Sequence, residues 1–305
     1  MSDPVNVAAV ELPVGPALAD QRPTDPQLYR RHSAAGEFFR RPTTVLYLVV
    51  LAAIVIFCFV GPFFSLNPSA TDFPVLAAPN STNLAGTDSL GRDLLARLMV
   101  GGQGSLLVGV SVAVICLTVA LLVGGLAGFY GGVADAVLRR VSEFFQVIPS
   151  IILALVAVAI IGASLPLIIL ILGITMWPGV ARIVRAECMR IRELGYVESS
   201  RAAGFSSFRI FWSDVLPNAF PPVLVATTLT VGRAILAESS LAFLGLGDAN
   251  RPSWGALLFD AQSYMQTAWW LTLLPGIAIF IVVLSANMLG DALNDSLNPT
   301  LGRVK

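Results

Sequence analysis

Residues 105–129 read SLLVGVSVAVICLTVALLVGGLAGF, a run of 25 residues without one charged side chain. The hydrocarbon core of a bilayer is about 30 Å thick and a helix rises about 1.5 Å per residue, so about 20 mostly apolar residues span it. The run is therefore read as a membrane-spanning helix. Five more stretches meet the same test: residues 45–64, 144–162, 165–183, 222–241 and 268–289. The sequence thus predicts an all-α integral membrane protein with six transmembrane helices.

Composition supports this. The 305 residues are 56% hydrophobic and 12% charged, against roughly 25% charged in an average soluble protein. Nineteen basic residues balance nineteen acidic ones, so no basic face points to nucleic acid as a partner. Lys305 is the only lysine, which excludes a P-loop ATPase because a Walker A loop needs a lysine inside its Gly-rich turn. His32 is the only histidine and lies in a polar stretch. Neither a His-pair zinc site nor a Ser-His or Cys-His catalytic pair can then form in the apolar body. Cys58, Cys116 and Cys188 are far apart and read as small buried hydrophobes. About 40 mostly polar residues precede the first apolar run, where a signal peptide would place its apolar core near Met1; the first span is expected to stay in the protein.

Orientation follows from the basic flanks, since cytoplasmic loops carry the excess of Arg and Lys. With the N-terminus inside, the cytoplasmic segments hold Arg22, Arg30, Arg31, Arg40, Arg41, Arg139, Arg140, Arg182, Arg185, Arg190, Arg192, Arg201, Arg209, Arg303 and Lys305. Only Arg92, Arg97 and Arg251 fall outside, and Arg233 lies within the fifth span. Both termini are expected in the cytoplasm.

The chain divides into a cytoplasmic tail (1–44), a first span with an external segment (45–104), a transmembrane core (105–292) and a C-terminal tail (293–305). In the external segment, Leu94, Leu95 and Leu98 share a helical face, with Asp93 and Arg97 expected to pair at i, i+4. A second long segment, 184–221, is cytoplasmic. It reads as a helix, a turn at Gly204, a short second helix and a stop at Pro217. Its Phe205, Phe208, Ile210, Phe211 and Trp212 are too apolar for a solvated loop, so the patch is expected to dock on something.

Glu198, Gly204 and Leu216-Pro217 fit the spacing of the EAA motif, E-A-A-x-x-x-G followed by L-P, and through it the chain resembles permease subunits of ABC-type importers. Ser199 and Ser200 stand where that family has Ala. Further stretches are similar to the C-type permeases of dipeptide and oligopeptide importers. They are Gly86-Thr87-Asp88 with Leu90-Gly91-Arg92-Asp93, Phe129-Tyr130-Gly131-Gly132, Ile148-Pro149-Ser150, residues 237–247, Ser253-Trp254-Gly255 and residues 287–293. The resemblance covers about residues 40–299.

That resemblance implies a type I ABC importer permease fold in a bacterial inner membrane. It implies that Glu198, Ser199, Ser200, Arg201, Ala202, Ala203 and Gly204, with Leu216 and Pro217, form the segment that couples to a separate ATPase. It also implies pairing with a homologous B-type permease, two ABC ATPase subunits that hold ATP and Mg, and an extracytoplasmic substrate-binding protein. No cofactor is expected in this chain itself. Cargo alternatives within the family are nickel chelates, glutathione or haem; a more distant alternative is an ion-driven secondary transporter, against which the absence of an obvious internal repeat counts.

Arg233 and Glu238 are ionisable residues in or near the fifth span, where a charge must face protein or water; they are candidates for the translocation path, with pairing to a partner permease as the alternative. Gly245-Leu246-Gly247-Asp248 matches the G-x-G-D of intramembrane aspartyl proteases, but no second aspartate lies in spans one to four to share its proton. Pro149, Pro166, Pro178 and Pro275 are expected to interrupt helices. Tyr264, Trp269 and Trp270 are read as an interfacial aromatic anchor.

Overall fold

The computed structural model describes residues 38–39, 41–147 and 149–297. His32, Ile148 and the basic residues Arg22, Arg30, Arg31, Arg40, Arg303 and Lys305 lie outside the described residues. Among those described there is no strand beyond an isolated bridge between Thr87 and Asp93; everything else regular is helical.

The long helices are α1 (Pro42–Phe59), α2 (Leu94–Tyr130), α5 (Leu165–Arg192), α8 (Leu216–Leu241) and α10 (Trp269–Leu297). Between them lie α3 (Gly132–Val147), α4 (Ser150–Ile161), α6 (Gly195–Ala202), α7 (Ser207–Ile210) and α9 (Trp254–Ala261). Five helical stretches are long and apolar enough to cross a membrane: Pro42–Phe63, Leu94–Tyr130, Leu165–Arg192, Ser207–Leu246 and Trp269–Leu297. The sixth expected span is not straight. Helices α3 and α4 bend by 74° where they meet, because Pro149 brings no N–H to the helix and disfavours helical geometry in the residue before it. Alone, the 12 residues of α4 reach only about 18 Å.

Close packing of α2 on α5 comes from small residues. A Cβ on Gly124 would collide with the Ala181 carbonyl oxygen, and one on Gly128 would lie 2.5 Å from that of Arg185. Only glycine lets the two backbones meet there, the small-residue packing that membrane helices favour. Trp177, Val180, Val184, Cys188, Phe211 and Leu241 fill the core around this seam. A second core gathers Cys58, Leu94, Trp254, Leu257, Trp270 and Leu271 at the other end of the bundle. The three cysteines are all buried and unpaired.

Four local expectations need correction. Pro217 does not stop a helix; the helical stretch Ser207–Leu246 runs through it, with a π-helical turn over Phe211–Val215 just before it. Pro166 lies in the first turn of α5, and Pro178 and Pro275 lie inside continuous helices, so of the four prolines only Pro149 stands at a break. Asp93 does not pair with Arg97: its carboxylate caps α2, accepting from the Ala96 amide at 2.9 Å, and is held by the Asn83 side-chain amide at 2.9 Å. Trp270 is not an interfacial anchor either. It is buried and donates its indole N–H to the Thr87 carbonyl at 3.3 Å, while Trp269 is exposed.

Candidate functional site

The segment singled out by sequence is contiguous at one end of the bundle. Helix α6 carries Glu198 in its first turn and Arg201 in its last, each at the helix end whose partial charge it complements. Glu198, Ser199, Arg201, Ala202, Ala203 and Gly204 are exposed and Ser200 half-buried; Val197, at 0% exposure, is what fastens α6 to the protein. Gly204 closes the helix at φ +82°, a left-handed geometry suited to glycine, and nothing lies within 4 Å of the place a Cβ would take. Leu216 and Pro217 sit apart, at the start of α8. Leu216 belongs to the packing, with its Cδ1 3.5 Å from where Gly125 would carry a Cβ.

The aromatic residues of this segment divide between two jobs. Ile210 and Phe211 are buried, Phe211 against Phe129 with ring centroids 5.4 Å apart. Phe205, Phe208 and Trp212 remain exposed. Phe208 and Trp212 stand 6.1 Å apart, and the Arg209 guanidinium lies 4.3 Å over the Phe205 ring. The result is a small polar helix flanked by an aromatic patch and held rigidly by buried anchors. The arrangement offers a docking surface and no reactive pair.

Arg233 and Glu238, five residues apart on α8, diverge. A helix turns about 100° per residue, so they project about 140° apart. Glu238 is 2% exposed. Its carboxylate accepts from the Ser105 hydroxyl at 3.2 Å and the Ser239 hydroxyl at 3.3 Å. Ser105 in turn accepts from the Trp254 amide at 3.2 Å, so the carboxylate joins α8, α2 and the start of α9. Arg233 is exposed and makes no ion pair among the described residues.

At the end opposite α6, sequence reasoning missed an ion network. Arg97 contacts Asp88 at 2.5 Å and Asp260 at 3.1 Å, and Arg92 contacts Asp88 at 2.6 Å. Burial pushes the Asp88 carboxyl up, but the Arg92 and Leu90 amides and the two guanidiniums outweigh it and hold it below its ordinary range. Arg97 and Asp260 stand 163 positions apart, a separation that no local pattern reveals. Asp248, considered above for protease chemistry, accepts from the Leu165 amide at 2.9 Å and so occupies the N-terminus of α5, where a carboxylate is favoured. No group of three His, Cys, Asp or Glu among the described residues could hold a metal.

Comparison with known proteins agrees with this geometry. Residues 120–303 match the family described as the binding-protein-dependent transport system inner membrane component. A putative peptide transport system permease protein of Brucella suis biovar 1 is 36% identical over 99% of this chain and 98% of its own length. The di/tripeptide transport system permease protein DppC of Pseudomonas aeruginosa is 42% identical, with 72% of each chain covered. The oligopeptide transport system permease protein OppC of Haemophilus influenzae is 36% identical over 87% of both. Among solved structures, a chain of the methionine ABC transporter MetNI superposes with a TM-score of 0.55 at 23% identity, covering 67% of this chain and 97% of that one. At that identity the likeness speaks for the fold.

Proposed function

Since this chain belongs to the inner-membrane components of binding-protein-dependent transport systems and is a permease subunit of an ABC importer, we propose that it carries di- and oligopeptides and is driven through α6. The names of its relatives support the cargo class. In this reading α6, with Glu198, Ser199, Ser200, Arg201, Ala202, Ala203 and Gly204, lies in a cleft of a separate ATPase subunit. Leu216 and Pro217 pass its movement into α8. ATP and Mg reside on two such ATPases, and this chain does no covalent chemistry.

The single observation that carries the coupling role is the construction of α6: mostly polar on its exposed surface, with Tyr196 its one exposed ring, and tied to the bundle by Val197 beneath. Phe211 beside it is bedded on Phe129. Charged side chains such as Glu198 and Arg201 are costly in lipid, and the exposed Phe208 and Trp212 beside them are of the type enriched at protein interfaces. Closure of the two ATPases then displaces α6 as a rigid lever and switches the path between its two openings. The path lies between this chain and a homologous B-type permease, with Arg233 and Glu238 as the charged residues nearest to it, Glu238 acting from inside the packing. A binding protein docks on the side of residues 65–93, and both termini are cytoplasmic.

Gly204→Trp tests the coupling role. Space beside the position is open, while its φ of +82° strains any side chain placed there, so Gly204→Ala serves as the reference that carries the same backbone strain without the indole. At membrane yield equal to that of Gly204→Ala, peptide uptake by Gly204→Trp is expected to fall to background because the indole blocks the approach of a partner. Normal uptake would refute the role of α6. For the cargo, a strain lacking this chain is expected to lose growth on di- and tripeptides as sole amino-acid source, and unimpaired growth would assign another solute.

A further inference from the structure

Arg233 stands on the outward face of α8 with Leu229 at i−4, Leu236 at i+3 and Ser240 at i+7. Of these, Leu236, Ser240 and Arg233 itself are exposed. The guanidinium is deep: about 17 Å of helical rise separates its residue from Pro222 and about 12 Å from Leu241, the two ends of the apolar span. Too far from either end for the side chain to reach an interface, it cannot snorkel out of the hydrocarbon. A charge there costs about 2.5 to 3.5 kcal/mol on insertion scales, so this face of α8 does not meet lipid. Inside the chain nothing among the described residues answers it. The nearest carboxylate along α8, that of Glu238, is turned away and bonded to Ser105 and Ser239.

We propose that Arg233 lines the water-filled path and binds the anionic carboxylate of the cargo as it crosses the middle of the membrane. The proposal rests on the peptide-import reading above and adds to it a site for charge recognition. Guanidinium suits this role, being always charged, weakly hydrated, and able to take a carboxylate by two parallel N–H···O bonds. Leu229 and Leu236, one above and one below, lower the local dielectric and strengthen that contact. An unanswered cation also disfavours cationic solutes at this depth, so the residue selects by repulsion as well as attraction.

The test uses the complete transporter, reconstituted in proteoliposomes with its binding protein, and labelled alanylalanine as the cargo. Arg233→Gln is expected to lower ATP-dependent uptake at saturating binding protein by about tenfold or more, and Arg233→Lys by an intermediate factor, since an ammonium keeps the charge and loses the two-point grip. Arg233→Cys adds a readout that a structural role would not move. The native cysteines of this chain are buried, so with partner subunits made free of cysteine a polar, membrane-impermeant methanethiosulfonate reaches only the new thiol. A cationic reagent restores uptake, and an anionic one of similar size does not. A thiol that reacts with neither reagent in the assembled complex would place Arg233 against the partner chain or lipid and overturn the proposal. So would Arg233→Gln transporting like wild type. The labelling reads out the position of Arg233 whatever the cargo, whereas a wild-type complex that imports no dipeptide would sink the peptide reading and the carboxylate assignment with it.

Discussion

Asp88 shows how much of this protein depends on single side chains that no window of sequence reveals. It lies in the resemblance-bearing stretch from Gly86 to Asp93, yet its role comes from elsewhere, through Arg97, 10% exposed at its side chain, which itself reaches Asp260 on α9. Removing one partner of a buried ion pair costs about 3–5 kcal/mol, so Asp88→Ala should lower the thermal midpoint of the detergent-solubilised chain markedly. The pH dependence has a definite sign. The carboxyl is held below its ordinary range, so the stabilisation is present above the unfolded value of about 3.9 and is lost as pH falls through the lower folded value. Wild type should lose stability in that acid window, and Asp88→Ala should lack this component. Equal acid sensitivity of the two would show that the network contributes nothing.

Among the elements, the spans were the most legible because bilayer thickness imposes one length on every one of them. Their ends were less so. Helix α2 begins at Leu94 and extends the apolar run by more than two turns, since Asp93 caps it and Asn83 steadies the cap. The bend at Pro149 was visible as a proline and not as a 74° turn, because local preference sets where a helix breaks while packing sets the angle. In the α6 segment the spacing placed the turn at Gly204 correctly, but five aromatic and aliphatic residues that looked alike in sequence were sorted by tertiary contact. Ile210 and Phe211 went inward; Phe205, Phe208 and Trp212 did not. Phe211 is 2% exposed, and truncating a buried phenylalanine costs about 3–5 kcal/mol. Phe211→Ala should therefore loosen the attachment of α6 and α7, seen as faster amide exchange over 195–215 with the spans unchanged. Unaltered exchange would show that Phe211 does not anchor the segment.

For the molecule as a whole, composition decided what it could not be: no lysine for a nucleotide loop and no histidine in the apolar body. What it is came from the joint reading of apolar spans, motif spacing and relatives at 36–42% identity. Orientation rests on the basic flanks, and it gives a clean expectation. In intact spheroplasts a membrane-impermeant thiol reagent should label Thr82→Cys, in an exposed turn near α2, and leave Ser207→Cys untouched until the cells are opened; both positions are exposed and the native cysteines are buried. The reverse pattern would invert the topology and put α6 on the wrong side for ATP.

The central claim is that α6 is where the membrane bundle meets its motor. A photo-crosslinking amino acid at Ala202, activated in native membranes with the transporter assembled, tests it most directly. The account predicts a covalent adduct between this chain and a P-loop ATPase subunit. An adduct with lipid or the partner permease alone, with the ATPase present in the same complex, would contradict it.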